Sequence, residues 1–278
     1  MPKLCDCHLH VYDTDARWLN TQPAVTHADL PAYQRLQLKL GSERAVIVQP
    51  LLYGVDNTLM LRLLRDMGEE HARGVAIVHA EVTDDELDAL HAAGVRGVRF
   101  FVGSALAQPH PSDAQQALID MRALDRRLAA RGMHFQINTN GRFLDKEAAA
   151  FEEFSSALVF DHLGHVLPQA GDTHVGLDAL ASLLRAGNVW VKLSGLYLDS
   201  ATQSPHPDMR PVVERLIDVE PRRLVWGTNW PHPTVRAPAL APDDSAILQA
   251  VKDWLPDAGL QRQIFAENAE NLYGFKPA

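Results

Sequence analysis

His8 and His10, one residue apart near the start of the chain, are the first arrangement in the sequence with evident chemical use. Alternate residues of a strand share a face, so imidazoles at i and i+2 stand about 6.6 Å apart and can grip one small target. Asp6 is expected on the same face, with Cys5, Cys7 and Leu9 on the other. That parity points the Cys7 thiol away from the imidazoles and argues against a Cys–His nucleophile. Further along, one apolar run after another ends in a polar residue: Gln49, His79, Arg99, Gln136 with Asn138, His162, Lys192 with Ser194, and Asn229. Burying such groups unpaired costs about 1–3 kcal/mol each, so the run ends are expected to converge on an open mouth and a ligand. Lys192, set among Trp190, Val191 and Leu193, is expected to meet an anion. The stretch Trp226-Gly227-Thr228-Asn229-Trp230-Pro231-His232 is too rich in tryptophan, proline and histidine to read as a simple turn. His91, His174 and His206 read as solvated surface residues, and His134, which begins its run, as structural.

Elements of a definite kind must position these residues. Eight β-rich apolar runs cover residues 4–11, 44–49, 74–79, 95–101, 134–138, 158–162, 189–193 and 224–230. Between them lie segments with apolar residues at i, i+3 and i+4, for example residues 114–131, 177–185 and 211–217. Gly41, Gly94, Gly132 and Gly187 stand where left-handed helix caps are expected, each just before a strand. Strands alternating with helices predict right-handed βαβ units and a parallel sheet. Eight units without a long linker predict one α/β domain over residues 1–278, a closed (β/α)8 barrel. An open doubly wound sheet usually carries a glycine fingerprint after its first strand, and Asp6-Cys7-His8-Leu9-His10 stands there instead. Residues 12–26 and 231–244 read as long loops on the catalytic face, and residues 260–272 as a final helix packed across the barrel's outside.

Composition removes other functions. The chain has 278 residues, 46% hydrophobic and 22% charged, as a packed globular protein requires. A net charge of −9 argues against nucleic acid as a partner. The residues from Met1 to Asp6 do not read as a signal peptide, and no apolar run approaches the roughly 20 residues of a membrane span. Two cysteines two positions apart predict reduced thiols in a cytoplasmic protein. No G-x-S-x-G elbow, phosphate loop, G-x-G-x-x-G or H-E-x-x-H is present.

Six segments in order carry a resemblance: His8-x-His10; Val46-Ile47-Val48-Gln49-Pro50 with Asp56-Asn57; Gly97-Val98-Arg99-Phe100; Phe160-Asp161-His162-Leu163-Gly164; Val191-Lys192-Leu193-Ser194-Gly195; and the tryptophan-rich run ending at His232. Together they resemble the lactonase branch of the amidohydrolase superfamily. That group contains 2-pyrone-4,6-dicarboxylate lactonase, sugar-lactone hydrolases and D-galactarolactone isomerase. The resemblance covers essentially the whole chain and implies a distorted (β/α)8 barrel.

It also implies an enzyme acting on a small carboxylated lactone, with a sugar-acid lactone as the expected substrate. His8, His10 and His162 would polarise the carbonyl and stabilise the oxyanion. Arg99 and Lys192 would clamp a substrate carboxylate, and Gln49, Gln136, Asn138 and Tyr197 would hydrogen-bond hydroxyls. Family members generally bind divalent metal. Here strand five offers Gln136 and Asn138 and strand eight offers Asn229, where histidine and aspartate are usual. Amides are weak ligands, so no metal is expected; the alternative is one zinc on His8, His10 and His162. Asn229 replaces the aspartate that acts as base in hydrolytic relatives. Either His232 supplies the base, or the chain carries an inactivating replacement, or the substrate's own hydroxyl attacks and the ring migrates. The resemblance also allows a disabled barrel that only binds sugar acids.

Overall fold

The computed structural model describes residues 3–13, 28–103, 114–168, 174–235 and 240–277. Eight parallel strands form one sheet: β1 (Leu4–Leu9), β2 (Ser42–Val48), β3 (Ala72–Ala76), β4 (Val95–Phe101), β5 (His134–Asn138), β6 (Leu158–Phe160), β7 (Val189–Leu193) and β8 (Leu224–Trp226). Each lies beside its sequence neighbour. The ring closes where Leu9 bridges Trp230, with the His10 amide donating to the Trp230 carbonyl (2.7 Å) and the Asn229 amide to the His8 carbonyl (2.7 Å). This is the expected (β/α)8 barrel, and the eight runs of the sequence are its eight strands.

A helix follows each strand: α1 (Leu30–Leu40), α2 (Thr58–Met67), α3 (Asp84–Ala92), α4 (Ala114–Ala129), α5 (Gly141–Glu147), α6 (Leu177–Ala186), α7 (Arg210–Val219) and α8 (Asp244–Trp254). Local chemistry sets their ends. Thr83 and Glu86 form a reciprocal capping box at α3, and the Asp29 and Asp243 side chains cap α1 and α8. Gly41, Gly94, Gly132 and Gly187 all take positive φ, as their positions predict.

The alternation of the strands divides the core in two. Ala45 and Ile47 of β2, Phe135 and Ile137 of β5, and Val189, Val191 and Leu193 of β7 pack outward against the helices. Val46, Val48, Val75 and Val225 fill the lower barrel interior, together with Cys5 and Cys7. The thiols therefore sit inside, contrary to the parity expectation. Register is the reason: from Asp6–Ala45 to Leu9–Ile47, β1 advances three residues while β2 advances two. One extra residue in β1 is a bulge, and it breaks the alternation between Cys7 and His8. Asp6 turns away from the histidines. Its carboxylate accepts from the Thr228 amide (2.9 Å), the Thr228 hydroxyl (2.7 Å) and the Tyr33 hydroxyl (3.3 Å), tying β1 to the turn after β8.

The C-terminal segment departs from expectation too. Helix Ala258–Arg262, a π turn Gln263–Glu267 and helix Asn268–Tyr273 run on from one another. Ile264 and Phe265 pack on the outer core, but Ala269, Tyr273 and Phe275 close the barrel's lower end. Arg44 and Arg73 hold that plug through the Lys276, Tyr273 and Gly274 carbonyls. The loop expected over residues 12–26 lies, from residue 14, outside the described residues. So do residues 236–239 of the loop after β8.

Candidate active site

At the upper end of the barrel, Arg99 of β4, Gln136 of β5, Lys192 of β7 and Asp161 form a buried polar floor. Asp161, just beyond β6, accepts on Oδ2 from Arg99 Nε at 2.9 Å, with Arg99 Nη2 at 2.8 Å. Lys192 of β7 donates to the Cys7 carbonyl (2.8 Å) and to Gln136 Oε1 (2.5 Å). Its ammonium lies 3.9 Å from Asp161 Oδ1 and 3.5 Å from His8 Nδ1. Burial raises the Asp161 carboxyl, but Arg99, His8 and Lys192 outweigh it and hold the group well below the usual range. Burial lowers Lys192 to about 8, which leaves it charged at neutral pH. The anion that Lys192 was expected to meet is thus Asp161. Arg99 and Lys192 both face Asp161 within the protein, where the sequence suggested a substrate carboxylate.

Above this floor stand the histidines. His10 Nδ1 lies 2.8 Å from the Val48 carbonyl, which can only accept, so the proton is on Nδ1. Burial holds His10 well below the ordinary imidazole pKa, and His8 at about 3. Both are neutral. His10 Nε2 is then bare and accepts from His8 Nε2–H at 3.3 Å. That leaves His8 Nδ1 bare, 3.2 Å from Asp161 Oδ1, two acceptors facing each other. Lys192 Nζ, 3.5 Å from His8 Nδ1, is the donor that faces this bare nitrogen. His162 Nδ1 meets the Ser194 hydroxyl at 2.9 Å, and its ring lies 4.5 Å from that of His8.

His162, Leu163, Gly164 and His165 all have φ between 50° and 66°, a left-handed turn straight after β6. Left-handed backbone costs non-glycine residues roughly 1–2 kcal/mol each, and such strain collects where a site demands it. The turn brings His165 to the mouth beside His162. Its Nδ1 meets Asp199 Oδ2 at 2.9 Å, and its Nε2 accepts from Asn138 at 3.2 Å. Close approaches elsewhere need glycine. A Cβ on Gly227 would lie 2.6 Å from the His8 backbone nitrogen, and one on Gly195 2.7 Å from His162 Nδ1.

Opposite, the turn after β8 carries Asn229 (φ 61°) and His232 (φ 63°). Asn229 Nδ2 donates to the Tyr197 hydroxyl at 2.9 Å. Tyr197 therefore anchors Asn229, and the Tyr197 ring meets His232 edge-on at 5.2 Å. His232 Nε2 lies 3.2 Å from Asp244 Oδ2. Asn229 Oδ1 and His232 Nδ1 are buried without a partner among the described residues.

The remaining expected residues divide. Gln49 donates to the Gly54 and Asp56 carbonyls and shapes the loop after β2, while Gln136 lies beneath the site bound to Lys192. His79 is exposed beyond the end of β3, and His134 sits low in the barrel, edge-on to Tyr273. Asp161, His165, Asp199 and Asp244 carry site geometry that sequence reasoning did not assign. Asp161 was visible beside His162, but the other three reach the site only through loop paths.

A match to the amidohydrolase family runs over residues 5–275. The chain belongs to that family. It is 31% identical to D-galactarolactone isomerase of Agrobacterium fabrum over 88% of this chain and 81% of the relative. It is 32% identical to 4-sulfomuconolactone hydrolase of Rhizobium radiobacter over 97% and 89%. A solved structure from Acinetobacter baumannii, a probable 2-pyrone-4,6-dicarboxylic acid hydrolase with citric acid bound, superposes with a TM-score of 0.78. It is 25% identical and covers 98% of this chain and 100% of that one.

Amidohydrolases raise the question of metal, and the donors can be tested for it. Among the described residues the one cluster with ligand spacing is His8, Asp161 and His162, not the expected His8, His10 and His162. Its carboxylate is already held by a guanidinium, with an ammonium 3.9 Å away. A divalent ion there would face two fixed cations, and only two imidazoles would be left to bind it. The donor set does not fit a divalent metal.

Proposed function

We propose that this amidohydrolase opens the cyclic ester of a small carboxylated lactone by hydrolysis, with sugar-acid lactones as the substrate class and no metal. The names of the Rhizobium and Acinetobacter relatives support lactone hydrolysis, and the citric acid in the latter supports a carboxylated ligand. Arg99 and Lys192 against Asp161 leave the floor one positive charge in excess, which favours an anionic substrate and a developing oxyanion. Of the neutral imidazoles above it, His162 has a ring N–H to offer the lactone carbonyl, on Nε2, its Nδ1 accepting from the Ser194 hydroxyl.

One observation carries the hydrolytic reading: Asn229 Oδ1 and His232 Nδ1 are two unpartnered buried acceptors in one turn. Water has two protons to offer such a pair; a substrate hydroxyl has one. Water oxygen bonds to the carbonyl carbon while its proton passes to His232. The tetrahedral intermediate collapses, the ring C–O bond breaks, and His232 returns the proton to the leaving oxygen. The new carboxylic acid then ionises, releasing one proton per ring opened.

Ring migration is the second reading, favoured by the D-galactarolactone isomerase relative and by an amide at position 229 that cannot take a proton. Product partition on two variants separates the two. If His232 is the base for water, Asn229→Asp changes hydrolysis little and His232→Asn lowers it by about 10²- to 10⁴-fold. An unmodified protein that migrates the ring without proton release, and hydrolyses only as Asn229→Asp, would establish the isomerase. A protein inert until Asn229→Asp restores hydrolysis would be a disabled hydrolase.

A further inference from the structure

We infer that Asp244 is a positioning residue for His232: it holds the imidazole as the Nε2–H tautomer, so that Nδ1 faces the attacking oxygen bare. The inference rests on the proposed role of His232 as the base. Asp244 is the first residue of α8, twelve positions beyond His232, and nothing in the sequence spacing links the two.

Three observations converge on it. His232 Nε2 and Asp244 Oδ2 are 3.2 Å apart, and both side chains are almost fully buried, at 2% and 9% exposure. An ionised carboxylate only accepts, so the contact places the imidazole proton on Nε2. The other ring nitrogen, Nδ1, is buried and unpartnered in the same turn as the unpartnered Asn229 Oδ1. The ring has few other ways to sit. Tyr197 meets it edge-on at 5.2 Å, the His232 amide donates to the Asn229 carbonyl at 2.8 Å, and the residue is held at φ 63°.

The α8 cap makes the carboxylate rigid. Asp243 occupies the N-cap and accepts from the Ser245 and Ala246 amides, which leaves Asp244 to point its side chain at His232. A carboxylate behind a catalytic imidazole fixes its tautomer and orientation and stabilises the imidazolium formed when the ring takes a proton. An asparagine in its place fits either tautomer. A glutamate keeps the acceptor at the cost of a longer reach.

Nitrogen-15 NMR of the full chain at neutral pH tests this without any substrate, with the His232 signals assigned by their loss in His232→Asn. The expected spectrum has a protonated, pyrrole-like Nε2 and a bare, pyridine-like Nδ1. In Asp244→Asn the two tautomers should mix. Its kcat on a turned-over lactone should fall by about 10²- to 10⁴-fold with KM little changed, and Asp244→Glu should recover part of the loss. A proton on Nδ1 in the unmodified protein would overturn the inference whether or not Asp244→Asn folds. So would kcat in Asp244→Asn within about threefold of the unmodified protein. Failure of the functional reading looks different: the Nε2–H tautomer would be present, and no lactone would turn over.

Discussion

Asp161 is the residue on which the site turns. Two nitrogens of Arg99, the Lys192 ammonium and the His8 imidazole all approach one buried carboxylate. The types of these residues were legible in the sequence, as was the need of a buried lysine for an anion. Their pairing was not, because two cations on separate strands look alike whether they await a substrate or an internal acid. Arg99→Met separates the two cases. Removing one partner of a buried ion pair typically costs about 3–5 kcal/mol, so urea unfolding should show a loss of that order. Remaining activity should fall in the same ratio on carboxylated and uncharged lactones. Unchanged stability, with the loss confined to carboxylated substrates, would restore Arg99 as a substrate clamp.

The elements succeed or fail by periodicity. All eight strands could be read because each is a short apolar run, and four left-handed caps because glycine marks them. The reading of β1 went wrong at Cys7 and Asp6, since a bulge adds one residue to a pattern of period two and leaves no mark in composition. The left-handed turn at residues 162–165 is equally silent: only one of its four residues is glycine. Asp199, beyond β7, and Asp244, at the start of α8, come to the histidines by chain paths that no spacing encodes. The bulge has a structural counterpart in Gly227, whose missing side chain lets β8 lie against His8. Gly227→Ala should push His8 from its place, lowering stability by roughly 1–3 kcal/mol and activity by more than that loss of folded protein explains. Thermal unfolding and specific activity of the folded fraction check this. Wild-type activity in the variant would show that the position of His8 does not matter.

At the scale of the molecule, a closed barrel serves as a dry scaffold for unusual protonation states. Burial lowers His8 and His134 to about 3, against about 6.5 in an unfolded chain, so the folded state refuses protons that the unfolded state accepts. Their stabilisation is complete above pH 6.5 and is lost as pH falls from there towards 3. Asp6 works the other way: burial raises it to about 6, so its contribution grows as pH drops below that value. His10 and His162, also lowered, side with the first pair. Urea midpoints should therefore decrease from pH 7 to pH 5, and a flat or rising profile would mean that these imidazoles are charged in the folded protein. Among the described residues no helix is long and apolar enough to cross a membrane. The most direct measurement tests the proposed chemistry and the proposed lack of metal together: chelator-treated, unmodified protein is given a panel of aldarono- and aldonolactones, with proton release and proton NMR followed together. One proton released per ring opened, at a rate the chelator does not alter and with less than one zinc per chain by elemental analysis, is the expected result. Activity that the chelator abolishes in a protein carrying stoichiometric zinc, or no turnover across the panel, would contradict a metal-free lactone hydrolase built on neutral histidines.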